Sequence, residues 1–137
     1  MTTITARHVD GDRFAVSVRD HLFAVDQPIP DGGEDTAPTP TELFVAGLVS
    51  CVGFYAGRYL ARHNLPVDGL GVTGSFDMAS RPARVASIRL DITLPAGVPD
   101  DRREALLAVA SHCTVHNSLT TPPEVTVALV DSSAVPA

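Results

Sequence analysis

Four residues of this chain could carry out the widest range of chemistry: the two cysteines, Cys51 and Cys113, and the two histidines near the second one, His112 and His116. A thiolate can act as a nucleophile, a redox centre or a metal ligand, and a histidine can act as a base or a ligand. The four residues therefore permit a zinc site, a Cys–His hydrolase or a redox-active thiol pair. A buried cysteine can also be a small hydrophobic residue and nothing more.

Spacing does not choose among these alternatives. A zinc site would use Cys51, His112, Cys113 and His116, without the paired ligand spacing that is usual for zinc. A Cys–His hydrolase has no local signature here and would leave one cysteine unused. Inert packing is the commonest role for two cysteines on the inner faces of helices, so the residues alone leave all four interpretations open.

The composition limits the class of protein and of partner. The chain has 137 residues, 45% of them apolar, which indicates one globular domain. Its net charge of −6 argues against nucleic acid and anionic membranes as partners. The N-terminus has no apolar core typical of a signal peptide, and the uncharged run 43–57 is shorter than the roughly 20 residues of a membrane span. We expect a cytoplasmic protein, in which thiols stay reduced.

The elements that must position the cysteines follow from local patterns. Alternation of apolar and polar residues predicts three N-terminal strands with the first turn at Asp10-Gly11, and two further strands in "VTGSFDM" and "ARVASIRLDITLP". A helix is predicted from Pro40 to about Asn64, capped by Thr39 or Thr41.

The C-terminal part is predicted to contain a second helix, "DDRREALLAVASHC", ending at Cys113, then a short turn or helix "TVHNSL" and a last strand "PPEVTVALV". The order β-β-β-α-β-β-α-β is typical of an α+β fold with antiparallel sheet. One domain would cover residues 1–130, followed by a loose tail at 131–137.

Both cysteines are expected at packed surfaces. The helix that carries Cys51 is apolar on both faces between positions 43 and 57, which predicts burial on most sides. Its glycines disfavour helix, so close approach of another backbone would explain Gly47, Gly53 and Gly57. The inner stripe of the second helix is predicted to consist of Leu106, Val109, Ala110 and Cys113.

The stretches "APTPTELFVAGLVSC", "CTVHNSL" and "PPEVTV" together resemble the OsmC/Ohr family of thiol-dependent hydroperoxide reductases. The resemblance covers nearly the whole chain and is nearest to the looser branch of the family, with "VDQP", "GGED" and a histidine after the second cysteine. It implies antiparallel sheets that wrap around long central helices in an interlocked homodimer, with the sites at the subunit interface.

The resemblance also implies roles for single residues. Cys51 matches the family's peroxidatic thiol and Cys113 its resolving thiol. Arg13, in the N-terminal hairpin, matches the arginine that holds the thiolate, with Arg19 as the alternative. Glu42 matches the glutamate that orients this arginine, although direct register falls on Thr41. Thr114 stands where many relatives carry proline.

The activity that the resemblance implies is the reduction of organic hydroperoxides. The Cys51 thiolate would become a sulfenic acid, Cys113 would condense with it to a disulfide, and an external dithiol would reduce that bond. The two Cα atoms must then come within about 7 Å. No cofactor or metal is implied. Two alternatives stay open: a non-catalytic protein that binds an apolar or electrophilic ligand at the dimer interface, and a purely structural dimer.

Overall fold

The computed structural model describes residues 1–132 and contains two antiparallel sheets and three α-helices. The N-terminal sheet has the order β1-β2-β3, with β1 at Ile4–Asp10, β2 at Arg13–Val18 and β3 at His21–Val25. The second sheet pairs β4, Gly71–Ala79, with β5, Arg84–Thr93. The helices are α1 at Pro40–Arg62, α2 at Arg103–Ala110 and α3 at Thr114–Thr120. The predicted α+β class with antiparallel sheet is confirmed.

The N-terminal sheet is a meander, as the alternating sequence predicts. Strands β1 and β2 pair from Ile4 opposite Val18 to Asp10 opposite Arg13, with an irregularity between His8 and Asp10. Gly11 lies in the turn between these strands with a φ of 47°, a conformation that glycine adopts without a steric penalty. The three predicted N-terminal strands and the two strands predicted after α1 are all present. Each pairs with a neighbour in the sequence, so local patterns were sufficient to predict it.

Helix α1 begins where its sequence predicts. Thr39 is the N-cap: its hydroxyl accepts a hydrogen bond from the Glu42 amide at 3.0 Å, and Glu42 Oε1 accepts one from the Thr39 amide at 2.8 Å. Pro40 occupies the first turn, where its missing N–H costs no hydrogen bond. The reciprocal capping box fixes the helix start and so the depth at which Cys51 lies along the helix.

The core lies on one side of α1, which packs against β4, β5, α2 and α3. The buried cluster consists of Leu48, Val52, Ala56, Tyr59, Leu60, Leu106, Ala110 and Cys113. Phe54, which the helical repeat places on the opposite side of α1, is exposed, and so is Phe44 near the start of the helix. The expectation of a helix buried on most sides is therefore wrong for the single chain, because only one of its apolar faces has a partner.

The helix glycines do not mark a close backbone approach within the chain. A Cβ on Gly53 would lie 3.6 Å from the Val72 side chain, and one on Gly57 would lie 3.5 Å from Leu70, both ordinary contacts. A Cβ on Gly47 would meet nothing within 4 Å. That prediction is wrong for the isolated chain.

The predicted second helix is shorter than expected, and the stretch "TVHNSL", predicted as a short turn or helix, is α3. A 3-10 turn, Asp100–Arg102, leads into α2, which ends at Ala110, and Cys113 adopts extended angles as the N-cap of α3. Val109 of the predicted inner stripe is exposed. The prediction that Cys113 ends the second helix is corrected: it begins the third.

The predicted last strand is absent from the described chain. Residues 122–130 have no regular secondary structure, and their apolar side chains, such as Leu129 at 99%, are exposed. A strand needs a neighbouring edge for its ladder of hydrogen bonds, and no strand of the described residues pairs with this segment. The predicted loose tail lies outside the described residues from position 133 onward.

Helix α1 is also long and apolar enough, by length and composition alone, to cross a membrane. The core helices of soluble proteins meet the same criterion. The sequence argument against a span considered only the uncharged run, which is shorter than the 23-residue helix that contains it.

Candidate active site

The two cysteines lie in contact. Cys51 is half-buried on α1, and Cys113 is completely buried at the start of α3. Both are free thiols; Cys51 packs against the buried cluster that contains Cys113, and its thiol raises the pKa of Cys113. Two sulfur atoms from distant segments of the chain thus meet at the edge of the core, close enough to interact directly.

Cys113 is held there by the polypeptide around it. Its Sγ accepts a hydrogen bond from the His116 amide at 3.4 Å, and its carbonyl accepts one from the Asn117 amide at 2.9 Å. One residue further, the Thr114 hydroxyl shares a hydrogen bond of 2.7 Å with the hydroxyl of Tyr55 on α1. These bonds fix the start of α3 against the helix that carries Cys51.

The environment of Cys113 keeps it protonated at neutral pH. Burial raises the pKa of the Cys113 thiol above its ordinary value, and the adjacent Cys51 thiol raises it further. The backbone amides of His116 and Val115 lower the same pKa and offset part of this effect. Because the thiolate is the reactive form of cysteine, Cys113 is poorly suited to be the first nucleophile.

Arg13 lies apart from the thiols within one chain. Its Nη2 donates to Asp10 Oδ2 at 2.6 Å, and its Nε is buried without a hydrogen-bond partner among the described residues. The β1–β3 sheet makes no extended contact with α1 in the part of the chain described. The alternative residue, Arg19, lies exposed in the turn between β2 and β3. A single chain brings neither arginine to Cys51.

Glu42 is engaged in the capping box described above, where Thr39 occupies one of its carboxylate oxygens. No ion pair joins Glu42 to Arg13 within residues 1–132. In one chain its role is to begin α1.

A polar residue that the sequence reasoning did not single out organises the approach to α1. Asp26, 2% exposed, accepts hydrogen bonds from the amide of Gln27 at 2.7 Å and from the amide and hydroxyl of Thr36 at 3.0 and 2.7 Å. Its own amide donates to the Pro38 carbonyl at 3.1 Å. These bonds, with the Thr36 hydroxyl contributing most, lower the pKa of Asp26 to about 2. The only sequence signal was an aspartate directly after a strand, at the start of a loop rich in proline and glycine.

The zinc interpretation has little geometric support. Among the described residues no group of three or more histidine, cysteine, aspartate or glutamate side chains could hold a metal ion. His112 Nδ1 shares a hydrogen bond of 2.7 Å with the Ala108 carbonyl.

Two cavities lie near the cysteines, although neither cysteine lines them. One, of about 360 Å³, is lined by α1, β5 and α2, including Val52; the other, of about 320 Å³, includes Leu48. Leu90 and His116 line both cavities, and most of the remaining lining is apolar. Helix α1 contributes Val52 to the first cavity and Phe44 and Leu48 to the second.

Comparison with known proteins identifies the family. Residues 32–128 match the family model described as OsmC-like protein. The chain belongs to the OsmC family. The matched region contains both cysteines and Glu42, whereas Arg13 precedes it. Among proteins of curated function, none matches the sequence significantly.

Solved structures share the OsmC fold. A proposed osmotic-stress-induced and detoxification-response protein from Psychrobacter arcticus 273-4 is 23% identical, with a TM-score of 0.80, over 86% of this chain and 88% of that one. An OsmC-like protein from Mycoplasma pneumoniae is 15% identical, with a TM-score of 0.76, over 89% of each chain. An organic hydroperoxide resistance protein OsmC from Legionella pneumophila is 23% identical, with a TM-score of 0.61, over 87% and 88%. At these identities the comparison establishes the fold.

Proposed function

We propose that this OsmC family member is a thiol-dependent peroxidase that reduces organic hydroperoxides. The observation that carries the proposal is the contact between the half-buried Cys51 thiol and the buried Cys113 thiol. The name of the Legionella pneumophila relative, an organic hydroperoxide resistance protein, supports the same activity.

The proposed reaction has three steps. The Cys51 thiolate attacks the terminal oxygen of the hydroperoxide, so that an S–O bond forms, the O–O bond breaks, and the alkoxide takes a proton to leave as alcohol. The Cys113 sulfur then attacks the sulfenic sulfur of Cys51, and a disulfide forms with release of water. An external dithiol reduces the disulfide in two exchange steps and is itself oxidised to a disulfide.

The two apolar cavities lined by His116, whose amide binds the Cys113 sulfur, favour an organic substrate over hydrogen peroxide. Burial of an alkyl or aryl group there would contribute roughly 25 cal/mol for each Å² removed from water. Hydrogen peroxide has no apolar surface to bury. His116 is the polar residue that lines both cavities.

We further propose that the working unit is a homodimer. Within residues 1–132 the N-terminal sheet has no extended contact with another element, and it exposes the apolar side chains Ile4, Val9, Phe14, Leu22 and Phe23. The unpaired segment 122–130 and the free face of α1 add to this surface. Apolar surfaces of this extent mark association sites, and a second copy of the chain is the partner that the family fold implies.

In such a dimer the thiolate would be held by Arg13 of the second subunit. This assignment explains why the guanidinium lies away from Cys51 in its own chain and why its Nε is buried without a partner. A guanidinium beside Cys51 would favour the thiolate by charge and hydrogen bonding. The orienting role of Glu42 in the same dimer is part of this proposal.

Turnover of cumene hydroperoxide with dithiothreitol as reductant tests the proposed activity. Cys51→Ser should abolish turnover. Cys113→Ser should still form the Cys51 sulfenic acid once, but with a monothiol in place of dithiothreitol the reaction should stop at that stage. Hydrogen peroxide should react more slowly than the organic substrate. Absence of turnover by the wild-type protein with every organic hydroperoxide tried would refute the proposal.

Mixing of variant subunits tests the position of Arg13. If the arginine acts across the interface, refolding equal amounts of Cys51→Ser and Arg13→Ala chains creates one complete site in each mixed dimer. Activity should then recover to about one quarter of wild type, since half the dimers are mixed and each has one of two sites. Recovery no greater than the sum of the parent variants would place Arg13 outside the partner's site.

A non-catalytic binding protein is the second candidate, favoured by the engagement of Glu42 with Thr39 and of Arg13 with Asp10. It would hold an apolar ligand in the cavities beside the thiols. A long-chain alkyl ligand should then bind equally well to wild type and to Cys51→Ser, with no consumption of hydroperoxide by either.

A further inference from the structure

A pair of hydroxyl groups links the two helices at the thiol site. Tyr55 lies one helical turn after Cys51 on α1, and Thr114 directly follows Cys113. Their hydroxyl oxygens are 2.7 Å apart, although 59 positions separate the residues in the sequence. It is the only hydrogen bond between side chains of α1 and α3 in residues 1–132.

We infer that Tyr55 and Thr114 are a positioning pair, which holds the Cys113 thiol within reach of Cys51 so that it can resolve the sulfenic acid. The inference rests on the proposed peroxidase function. Neither hydroxyl touches a reacting atom; both act through the placement of Cys113.

The need for such a link follows from how Cys113 is held. Its sulfur is the N-cap acceptor of α3, bonded to the His116 amide. When that sulfur attacks Cys51 it must leave or distort this geometry, because a disulfide imposes its own length and dihedral angle. The other attachment of α3 to α1 at this point is the Tyr55–Thr114 bond, which uses no sulfur. It can strengthen once the cap bond breaks, so that it contributes more in the sulfenic acid and disulfide states than in the dithiol.

The link should affect resolution and leave peroxide attack unchanged. Restraining Thr114 restrains its neighbour Cys113 and raises the effective concentration of that thiol at Cys51. Loss of the bond would therefore weaken the disulfide relative to the dithiol and lengthen the life of the Cys51 sulfenic acid. The rate at which Cys51 first reacts with peroxide depends on its own thiolate and should not change.

The redox equilibrium of the Cys51–Cys113 pair in glutathione buffers measures this effect directly, with no peroxide present. Tyr55→Phe and Thr114→Val each remove one hydroxyl with little change of shape. Each should lower the equilibrium constant for disulfide formation about five-fold, the size expected for loss of one hydrogen bond. The double variant should resemble either single one, and Thr114→Ser should restore the wild-type value.

Ser118→Ala is the matched control, because Ser118 Oγ donates to the Thr114 carbonyl within α3 and makes no bond to α1. It should leave the equilibrium unchanged. After one equivalent of cumene hydroperoxide, trapping of the sulfenic acid with dimedone should rise in Tyr55→Phe and Thr114→Val but not in the control.

The outcomes separate the two claims. A wild-type protein that forms no Cys51–Cys113 disulfide in any oxidising buffer would refute the proposed function. A wild type that forms it, with Tyr55→Phe and Thr114→Val at the same equilibrium, would refute the positioning role alone. Unfolding of Tyr55→Phe, seen by circular dichroism, would leave Thr114→Val and its Thr114→Ser rescue as the deciding pair.

Discussion

The Asp26 carboxylate accepts two hydrogen bonds from Thr36, one from the amide at 3.0 Å and one from the hydroxyl at 2.7 Å. The pair closes the loop that connects the N-terminal sheet to α1. Together with the bond from the Asp26 amide to the Pro38 carbonyl, it sets where the chain enters the helix that carries Cys51. The loop is therefore held by specific hydrogen bonds between the sheet and the helix that carries Cys51.

Loss of the Asp26 charge should destabilise the fold in a pH-dependent way. Because the pKa of Asp26 is lowered from 3.8 to about 2, its stabilisation is complete above pH 3.8 and is lost as the pH falls towards 2. At pH 7 we expect Asp26→Asn to lower the Tm by about 5 °C. Thermal unfolding from pH 2 to 7 should show the difference from wild type shrinking below about pH 3.

The exposed Asp31, in the same loop, provides the control for this measurement. Asp31→Asn should leave the Tm nearly unchanged at every pH. A difference between Asp26→Asn and wild type that stayed constant down to pH 2 would contradict the role assigned to the carboxylate.

Gly33 should tolerate no side chain. A Cβ there would overlap the carbonyl of Gln27, which is fixed by its hydrogen bond from the Asp35 amide at 2.9 Å. We expect Gly33→Ala to lower the free energy of unfolding by about 1–3 kcal/mol, as overpacking does elsewhere. Gly71→Ala is the control, since its Cβ would meet nothing within 4 Å. Equal urea midpoints for the two variants would show that the loop relaxes freely.

The two thiols should differ in accessibility. Cys113 is completely buried and burial raises its pKa, so it should resist iodoacetamide in the native protein at pH 8, while the half-buried Cys51 is modified first. Both should be modified in urea. Peptide mass spectrometry over time gives the order, and modification of Cys113 before Cys51 would be the opposite of what the packing requires.

The raised pKa of Cys113 also makes stability fall at alkaline pH. Its contribution to stability is complete below the ordinary thiol value of 9.0 and is lost as the pH rises above it. Between pH 8 and 10.5 we expect the Tm of wild type to fall more steeply than that of Cys113→Ala. Parallel curves for the two proteins would mean that deprotonation of this thiol is not linked to folding.

The proposed dimer should depend on the apolar surface of the N-terminal sheet. Leu22, on β3, is 74% exposed in the single chain. A charge at this position should therefore weaken subunit association and leave the folding of one chain unchanged. We expect Leu22→Glu to shift the sedimentation equilibrium to monomer with at least a ten-fold weaker association, about 1.4 kcal/mol. Val67→Glu, an exposed valine in the loop before β4, is the control. A wild type that sediments as a monomer would exclude the dimer.

Local patterns predicted the elements of the fold because each pattern concerns residues that stay neighbours in the folded chain. The alternation of β1–β3 depends on turns of two residues, and the Thr39–Glu42 capping box spans one helical turn. The same local logic misjudged Cys113. It extended the second helix to Cys113, whereas α2 ends at Ala110 and the Cys113 sulfur caps the start of α3.

The sequence by itself determined the α+β class, the start of α1, and the family, through the stretches around Cys51 and Cys113. Only the tertiary structure decided that the two thiols lie together, that Tyr55 reaches Thr114 and that Asp26 closes its loop. It also decided that, within residues 1–132, Arg13 pairs with Asp10 and no strand pairs with residues 122–130. The physical reason is the distance along the sequence between the residues that interact. Capping and alternation are settled between adjacent residues, whereas these contacts depend on which apolar face packs against which, and many sequences with the same pattern could pack differently.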